Sequence, residues 1–215
     1  MVKEEELSFQ VVKTAKAIYY KGLVEAWEGN VSIRNGIKKE FFITPSLNKY
    51  ETLTKDKIVH MNFKGEVLNN ENTPSSEAKM HSIIYNAREK VHCIIHTHSL
   101  YATLLSIVHK CIPIIIEEQI ILLGGSIEIS EFKTAHTEDI GKAALKALGK
   151  KNAALLANHG AIVCGKTVKH TLKFAEFVEK LAKIYWGALQ IGKPHILEEK
   201  DYNKFKKDFN NIFSC

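Results

Sequence analysis

The spacing of apolar residues in the first half of the chain predicts a helix, two hairpins and a second helix. Between residues 4 and 22, apolar side chains recur every three or four positions, which is the spacing of one helical face: Leu7, Val11, Val12, Ala15 and Ile18. The β-rich runs NVSIR and EFFITP follow, and Asn35-Gly36 between them favours a hairpin turn. IVHMNFKGEVL predicts a second hairpin, and TPSSEAKMHSIIYNAREK returns to helical spacing near Pro74.

The second half of the chain alternates predicted strands and helices. VHCIIHTHS, AALLANHG and AIVCG are short apolar runs typical of strands, and residues 99–108, 137–149 and 167–192 have helical spacing. Hairpins and helices are mixed without a strict βαβ alternation. The sequence therefore predicts an α/β protein with a largely antiparallel sheet covered by helices. The segment after Pro194 is short, charged and aromatic, and we expect either a mobile tail or an arm that reaches a neighbour.

Composition agrees with one compact domain. The 215 residues are 45% hydrophobic and 25% charged, which are ordinary globular values. The longest apolar stretch, CIPIIIEEQIILLGG, is interrupted by Glu117 and Glu118 and is too short to span a bilayer, so we expect it in the core and expect no membrane partner. Because the first ten residues lack a secretory pattern, we expect a cytoplasmic protein.

Cysteines and charge narrow the class further. Four cysteines lie far apart without a C-x-x-C pair, which favours reduced thiols. The net charge of +6 and the pI near 9.0 are spread thinly along the chain. We therefore expect small anionic substrates and no nucleic acid.

Two histidines close the predicted strand CIIHTHS. His96 and His98 point to the same face of a strand, roughly 6 to 7 Å apart along the chain, whereas Cys93 and Thr97 point to the other face. A pair of surface or hydrogen-bonded histidines is the alternative. His159 in ALLANHG also ends an apolar strand, and three imidazoles with one open position are the ligands of a catalytic zinc site.

A carboxylate and two hydroxyls lie at the start of the second predicted helix. Glu77 in TPSSEAKMH is the best-placed base, although a first-turn Glu is also common for helix-dipole reasons. Ser75 and Ser76 either cap this helix or help to bind a phosphate at its N-terminus. His81, four residues after Glu77, is a rival metal ligand that we rank below His159.

Two more small-polar stretches are typical of anion binding. EGNVS contains Gly29, which permits close backbone approach, and Asn30; FITPS contains Thr44 and Ser46. Each stretch alone predicts only a turn. Together with PSSE they provide the neutral donors that a phosphate pocket requires.

Five motifs in this order, EGNVS, ITPS, PSSE, HTHS and LANHG, resemble the class II aldolase and adducin family, and most of all its L-fuculose-phosphate aldolase branch. The resemblance covers residues 7 to about 192. It implies a three-layer α/β/α fold around a largely antiparallel sheet, in a catalytic domain at residues 1–195 with a C-terminal tail at 196–215. It also implies a homotetramer with sites between subunits.

The resemblance assigns roles to individual residues. It implies that His96, His98 and His159 hold Zn²⁺, or another divalent metal such as Mn²⁺ or Co²⁺, and that Glu77 is the catalytic acid/base and a further ligand. The phosphate-binding positions of the family fall on Gly29, Asn30, Thr44, Ser46, Ser75 and Ser76. The implied reaction is reversible cleavage of a ketose 1-phosphate such as L-fuculose 1-phosphate to dihydroxyacetone phosphate and an aldehyde, through a zinc-stabilised enediolate.

The sequence departs from the family pattern at three places. Leu47 occupies a usual glycine position, and Glu28 stands where a small residue is common. The tyrosine that donates a proton to the aldehyde oxygen in the family falls on Glu118 or Glu117, depending on the direction of counting. Either glutamate can be an acid if its pKa is raised, or can lie at a subunit interface; Tyr202 in the tail is a third candidate acid.

The replaced tyrosine leaves other functions open. A pentulose-phosphate 4-epimerase or a methylthioribulose-phosphate dehydratase of the same family is the alternative enzyme, and an adducin-like scaffold without catalysis ranks below both. Only cleavage releases dihydroxyacetone phosphate. A scaffold has no need for a metal.

Overall fold

The computed structural model describes residues 4–36, 38–69 and 72–215. Within these residues, seven strands form one sheet: β1 (Asn30–Arg34), β2 (Glu40–Ile43), β3 (Val59–Asn62), β4 (Cys93–Thr97), β5 (Glu128–Ile129), β6 (Ala153–Leu156) and β7 (Gly160–Gly165). Its α-helices are α1 (Glu4–Tyr20), α2 (Ala78–Ala87), α3 (Leu100–Ile107), α4 (Glu117–Leu123), α5 (Glu138–Leu148), α6 (Val168–Ile191) and α7 (Glu199–Asp208).

The sheet is antiparallel except at one edge. Its strand order is β3-β2-β1-β4-β7-β6-β5, and only β5 and β6 pair in parallel. Strand β4 lies at the centre, between β1 and β7. This arrangement confirms the predicted largely antiparallel sheet. The second predicted hairpin is present but short. Besides pairing along its length with β2, β3 is followed by a turn at Gly65, after which Glu66 and Leu68 form backbone hydrogen bonds with Asn62 (3.0 Å) and His60 (2.8 Å) on either side of the bridge between Met61 and Val67.

Two apolar clusters cover the two faces of the sheet. Cys93 and Ile95 of β4 belong to the cluster that includes residues of α1, α3 and α6, whereas Ile94 belongs to the cluster with residues of α2 and α5. Strict alternation of side chains along a strand produces this division. The molecule is therefore a three-layer α/β/α protein, as predicted, and the even-numbered residues of β4 face α2.

The apolar stretch before Gly124 is part of the core, as predicted. It contains α4, whose buried residues are Gln119, Ile120, Leu122 and Leu123. The two glutamates that interrupt the stretch occupy the exposed first turn of this helix. Among the described residues, no helix is long and apolar enough to cross a membrane.

The C-terminal segment is helical and packs on its own chain, which differs from a mobile tail. After α7 comes a π-helical turn, Phe209–Phe213, and Phe209 is only 4% exposed because its ring packs against Gly124. The Asn152 side chain donates a hydrogen bond to the Phe213 carbonyl at 3.0 Å. The Arg88 guanidinium also donates to the carbonyl of Cys215 at 3.0 Å. The buried ring of Phe209 and the hydrogen bonds from Asn152 and Arg88 thus hold the segment in place.

We expect Phe209→Ala to lower the free energy of unfolding by about 3–5 kcal/mol, the usual cost of removing a buried Phe side chain. Ile212→Ala is the matched control, because Ile212 lies in the same turn and is 50% exposed. Urea unfolding followed by fluorescence measures both. Equal stability of the two variants would contradict the packing of this segment.

Candidate metal centre

His96 lies on the central strand of the sheet, and one of its ring nitrogens is hydrogen-bonded to the backbone. It lies opposite Asn30 of β1 and Ile162 of β7, and its side chain is fully buried. Its Nδ1 atom is 2.9 Å from the carbonyl oxygen of Ala161. Because a carbonyl oxygen only accepts, Nδ1 donates this hydrogen bond. In the neutral ring, Nε2 then carries a lone pair and is the atom available to a metal.

The turn between β6 and β7 brings His159 to the same place. A Cβ atom on Gly160 would lie 2.2 Å from the carbonyl oxygen of Thr97, so only glycine lets this turn approach the end of β4. The backbone N–H of His159 is fixed by the Leu156 carbonyl at 3.0 Å. The ring centroid of His159 lies 4.7 Å from that of His96 and 4.8 Å from that of His98.

Glu77 completes the cluster from the helix side. It is the N-cap residue of α2, one position before the predicted first turn, and its side chain makes no capping bond. Instead Oε2 lies 3.1 Å from His96 Nε2 and accepts a 2.8 Å hydrogen bond from Asn30 Nδ2. Oε1 lies 3.3 Å from His159 Nε2. The carboxylate therefore faces the three histidines, and the helix dipole alone does not explain its position.

The four side chains of the cluster differ in how the site shifts their pKa values. Burial acts to raise the pKa of Glu77, but the charge and hydrogen bond of His96, with smaller effects of His159 and Asn30, hold that pKa well below its usual value. Burial, followed by the charge of His96, lowers the pKa of His98 to about 3 and that of His159 to about 4. For His96 burial opposes protonation, but Glu77 raises its pKa. Glu77 is thus ionised, and His98 and His159 are neutral and available as ligands.

The four side chains fit a divalent cation. Their ligand atoms lie within 4.8 Å of one another, and the Nε2 atoms of His96 and His98 face each other at 2.9 Å. Atoms bound to tetrahedral zinc at 2.0–2.1 Å lie about 3.3 Å apart, close to this arrangement. Oε1 of Glu77 is buried and accepts no hydrogen bond from the described residues. Three imidazole nitrogens and a carboxylate form a typical zinc donor set.

The predicted phosphate-binding segments lie side by side next to this cluster. The N–H of Ser46 donates to the Thr73 carbonyl at 2.9 Å, and the N–H of Ser75 donates to the Thr44 carbonyl at 3.0 Å. The backbone N–H of Thr44 donates to the Val31 carbonyl at 3.1 Å, which joins ITPS to the EGNVS segment. A Cβ atom on Gly29 would lie 2.4 Å from the His96 carbonyl oxygen, so this segment packs directly against β4.

The proposed acids lie outside the cluster of four. Glu117 and Glu118 are exposed at the start of α4. Tyr202 lines a separate cavity of about 440 Å³ with Lys151 and Glu198. Their catalytic roles stay predictions.

Two other sequence features find a structural explanation. The rival ligand His81 is fully buried, and its Nδ1 lies 2.6 Å from Ser32 Oγ, which is itself 2.8 Å from Tyr85 Oη. It joins α2 to β1 and is not part of the metal cluster. Leu47, in the usual glycine position, has φ of 53°, so the left-handed backbone is kept without glycine.

Sequence reasoning missed two groups that support the site. Tyr50 is buried and donates a 2.7 Å hydrogen bond to the Gly29 carbonyl. The Ala161 carbonyl orients His96, as described above. No sequence motif indicates either group, because Tyr50 acts on the site only through the loop that contains Gly29, and the Ala161 carbonyl is a backbone group.

Comparisons with known proteins point in one direction. Residues 9–186 match the family described as Class II Aldolase and Adducin N-terminal domain. The 5-deoxy-D-ribulose 1-phosphate aldolase of Bacillus thuringiensis is 34% identical, over 96% of this chain and 95% of the relative. A 5-methylthioribulose-1-phosphate/5-deoxyribulose-1-phosphate aldolase of Rhodospirillum rubrum is 33% identical, over 93% and 89%.

The L-fuculose phosphate aldolase of Escherichia coli is 31% identical to this chain, over 90% of the chain and 88% of the relative. A solved structure of an L-fuculose 1-phosphate aldolase superimposes with a TM-score of 0.91 at 30% identity, and the match covers 95% of this chain and 96% of that one.

We expect the protein to bind a stoichiometric amount of Zn²⁺, and we expect His96→Ala to weaken that binding more than about 100-fold, since loss of an outer partner alone costs 10–100-fold. His195→Ala is the control, because His195 is exposed and lies outside the cluster. Competition with a chromophoric chelator measures the affinity. Wild-type affinity in His96→Ala would contradict the assignment.

The metal-free protein should lose stability as the pH falls from about 6.5 to 4. Unfolded histidines bind protons near pH 6.5, whereas in the folded state the pKa of His159 is about 4, so the unfolded state takes up more protons in this window. The contribution is present above pH 6.5 and is lost as the pH falls. Urea midpoints measured with EDTA should show a weaker pH dependence in His159→Gln; an unchanged dependence would contradict the depressed pKa.

Proposed function

The chain belongs to the class II aldolase and adducin family, and we propose that it is a metal-dependent enzyme that reversibly cleaves a ketose 1-phosphate to dihydroxyacetone phosphate and an aldehyde. Its relatives named above are sugar-phosphate aldolases and match it along most of their length, so the chain is a sugar-phosphate aldolase, a carbon–carbon lyase. One observation carries the specific reaction. A buried, ionised Glu77 faces three convergent histidines, and the segments EGNVS, ITPS and PSSE, which offer neutral donors to a phosphate, lie beside them.

We propose 5-deoxyribulose 1-phosphate as the first substrate to test. Two relatives named for 5-deoxyribulose 1-phosphate are 34% and 33% identical to this chain, and the fuculose-phosphate relative is 31% identical. Cleavage between C3 and C4 of this substrate releases dihydroxyacetone phosphate and acetaldehyde. L-Fuculose 1-phosphate, which the sequence motifs favoured, would release lactaldehyde and is the second substrate to test.

Glu77 is the group that moves a proton at carbon C3. In the cleavage direction, solvent or the second acid/base takes the proton of the C4 hydroxyl, and the C3–C4 bond breaks with its electrons on C3 as the C4–O bond becomes the aldehyde carbonyl. Glu77, after taking up a proton from solvent, delivers it to C3 and returns to its ionised form. In the synthetic direction, the ionised carboxylate removes that proton from dihydroxyacetone phosphate. A divalent cation held by His96, His98 and His159 would supply Lewis-acid stabilisation of the negative charge that develops on the substrate oxygens.

Asn30 orients the carboxylate of Glu77, and Ser75 offers a hydroxyl to the phosphate. The 2.8 Å bond from Asn30 fixes one carboxylate oxygen and leaves the other without a hydrogen bond. Ser75 Oγ accepts a 3.3 Å hydrogen bond from the backbone N–H of Glu77, so its own O–H is free to donate to a phosphate. Ser76, Thr44, Ser46 and Gly29 add neutral donors. A phosphate anchored there would hold the adjacent carbons near Glu77.

Two alternatives are distinguished by their products. An epimerase or dehydratase of this family is favoured by the glutamates at the tyrosine position, and either would convert substrate without releasing dihydroxyacetone phosphate. A scaffold function is disfavoured, because the four side chains of the metal cluster are all present and close together.

We also propose a homotetramer in the cytoplasm, with zinc as the resident metal and a catalytic domain at residues 1–195. In this assembly Glu117, Glu118 or Tyr202 of a neighbouring subunit would protonate the aldehyde oxygen. Their exposed or separate positions within one chain support a role across an interface. The mass of the protein in solution tests the tetramer.

We expect Glu77→Gln to lower kcat by about 10²–10⁴-fold, because the amide cannot accept the C3 proton. The three histidines should still bind zinc. Release of dihydroxyacetone phosphate is measured with a coupling dehydrogenase on both substrates, and metal content is measured on the same samples. Glu25→Gln is the control, since this exposed carboxylate lies outside the metal cluster.

A kcat for Glu77→Gln within threefold of wild type would contradict its role as the acid/base. Substrate loss without dihydroxyacetone phosphate would replace the aldolase proposal with the epimerase or dehydratase.

A further inference from the structure

A second carboxylate lies behind the metal cluster, on the side away from the ligand atoms. Oε2 of Glu28 is 4.0 Å from Nδ1 of His98, whose Nε2 faces His96 at 2.9 Å. We propose that Glu28 is a positioning residue, which holds His98 in the orientation and tautomer that bind the metal. This inference rests on the metal site of the proposed function, but it concerns a residue outside the four ligands.

The backbone places Glu28 firmly, although its side chain is 41% exposed. Its N–H donates to the Glu25 carbonyl at 2.8 Å. The next residue, Gly29, has φ of 62° and has no room for a Cβ atom against the His96 carbonyl. The Gly29 carbonyl in turn accepts the hydrogen bond from Tyr50. The loop is therefore fixed on the end of β4, and from this position the Glu28 carboxylate reaches to 4.0 Å from His98 Nδ1.

Apart from Glu28, no described residue gives His98 the kind of outer partner that His96 has. His96 donates from Nδ1 to the Ala161 carbonyl, which leaves Nε2 for the metal. Histidine ligands in metal sites usually donate their second N–H to a carboxylate, a carbonyl or a water in this way. For His98, Glu28 is the carboxylate that faces the equivalent nitrogen.

The distance of 4.0 Å is longer than a direct hydrogen bond. A rotation of the partly exposed Glu28 side chain closes it, or a water bridges it. Either contact favours the tautomer with a proton on Nδ1 and a lone pair on Nε2. The carboxylate also makes the imidazole a more basic ligand, and loss of such a partner typically weakens metal binding by about 10–100-fold.

A competing explanation is that Glu28 acts on the substrate. It directly precedes Gly29 and Asn30, which belong to the proposed phosphate segments, so its charge would repel a phosphate. Removing the charge would then lower KM for the sugar phosphate and leave the metal affinity unchanged. The two explanations predict different measurements on the same variant.

The experiment compares wild type, Glu28→Gln and Glu25→Gln. Both variants remove one negative charge from the same loop, but the exposed Glu25 lies outside the metal cluster. Zn²⁺ affinity is measured by competition with a chromophoric chelator, and thermal unfolding is measured with EDTA and with excess Zn²⁺. We expect the Zn²⁺ affinity of Glu28→Gln to fall by about 10-fold or more, with Glu25→Gln unchanged.

The unfolding data separate positioning from a general structural role. With EDTA, all three proteins should unfold at the same temperature; with Zn²⁺, only Glu28→Gln should gain less stabilisation, because ligand stabilisation follows affinity. Wild-type zinc affinity in Glu28→Gln, an equal loss in Glu25→Gln, or a lowered KM as the only change would overturn the proposal. If wild type itself binds no metal, the proposed function fails instead.

Discussion

The site depends on one buried contact, that between the ionised carboxylate of Glu77 and Nε2 of His96. Glu77 is 6% exposed and His96 is fully buried, so an ionised carboxylate at this position requires partners that offset its desolvation. His96, His159 and Asn30 supply them from three different elements. Because each partner comes from a separate part of the chain, the contact forms only when strands β1 and β4, the turn between β6 and β7, and the start of α2 are assembled together.

Close backbone packing fixes the relative positions of Glu77, His96 and His159. Gly29 and Gly160 each place a loop against a carbonyl of β4, where a larger residue would clash. The Ala161 carbonyl then fixes the ring of His96. As a result, the ligand atoms of the four side chains lie within 4.8 Å of one another, and the segments proposed to bind phosphate are hydrogen-bonded to each other beside them. The proposed metal-dependent aldol cleavage uses this combination: a charge-stabilising ion, a base beside it, and an anchor for the phosphate.

Alternation and helical spacing were enough to predict most of the fold. The two-residue period of a strand predicts that His96 and His98 share one face of the sheet and that Cys93 lies on the other. The structure confirms this arrangement. Local patterns do not specify long-range contacts, so spacing alone did not bring His159 to His96. The family resemblance did.

Features that rest on tertiary contacts were harder to predict. The C-terminal segment is highly charged, and its helix is held by the burial of Phe209, which a local pattern does not reveal. The side chain of Glu77 turns into the site and does not cap α2, because buried partners outweigh the helix dipole. The residue that protonates the aldehyde oxygen stays a prediction, since Glu117 and Glu118 are exposed within one chain.

Proton exchange into dihydroxyacetone phosphate is the most direct test of the central claim, that Glu77 beside a bound metal moves the C3 proton. The measurement follows the C3 hydrogens by NMR in D₂O, with zinc-loaded protein and no aldehyde, so it does not depend on knowing the second substrate. If Glu77 removes the C3 proton beside the metal, one of the two C3 hydrogens exchanges, and exchange stops after chelation. Absence of exchange in protein that demonstrably holds zinc would contradict it.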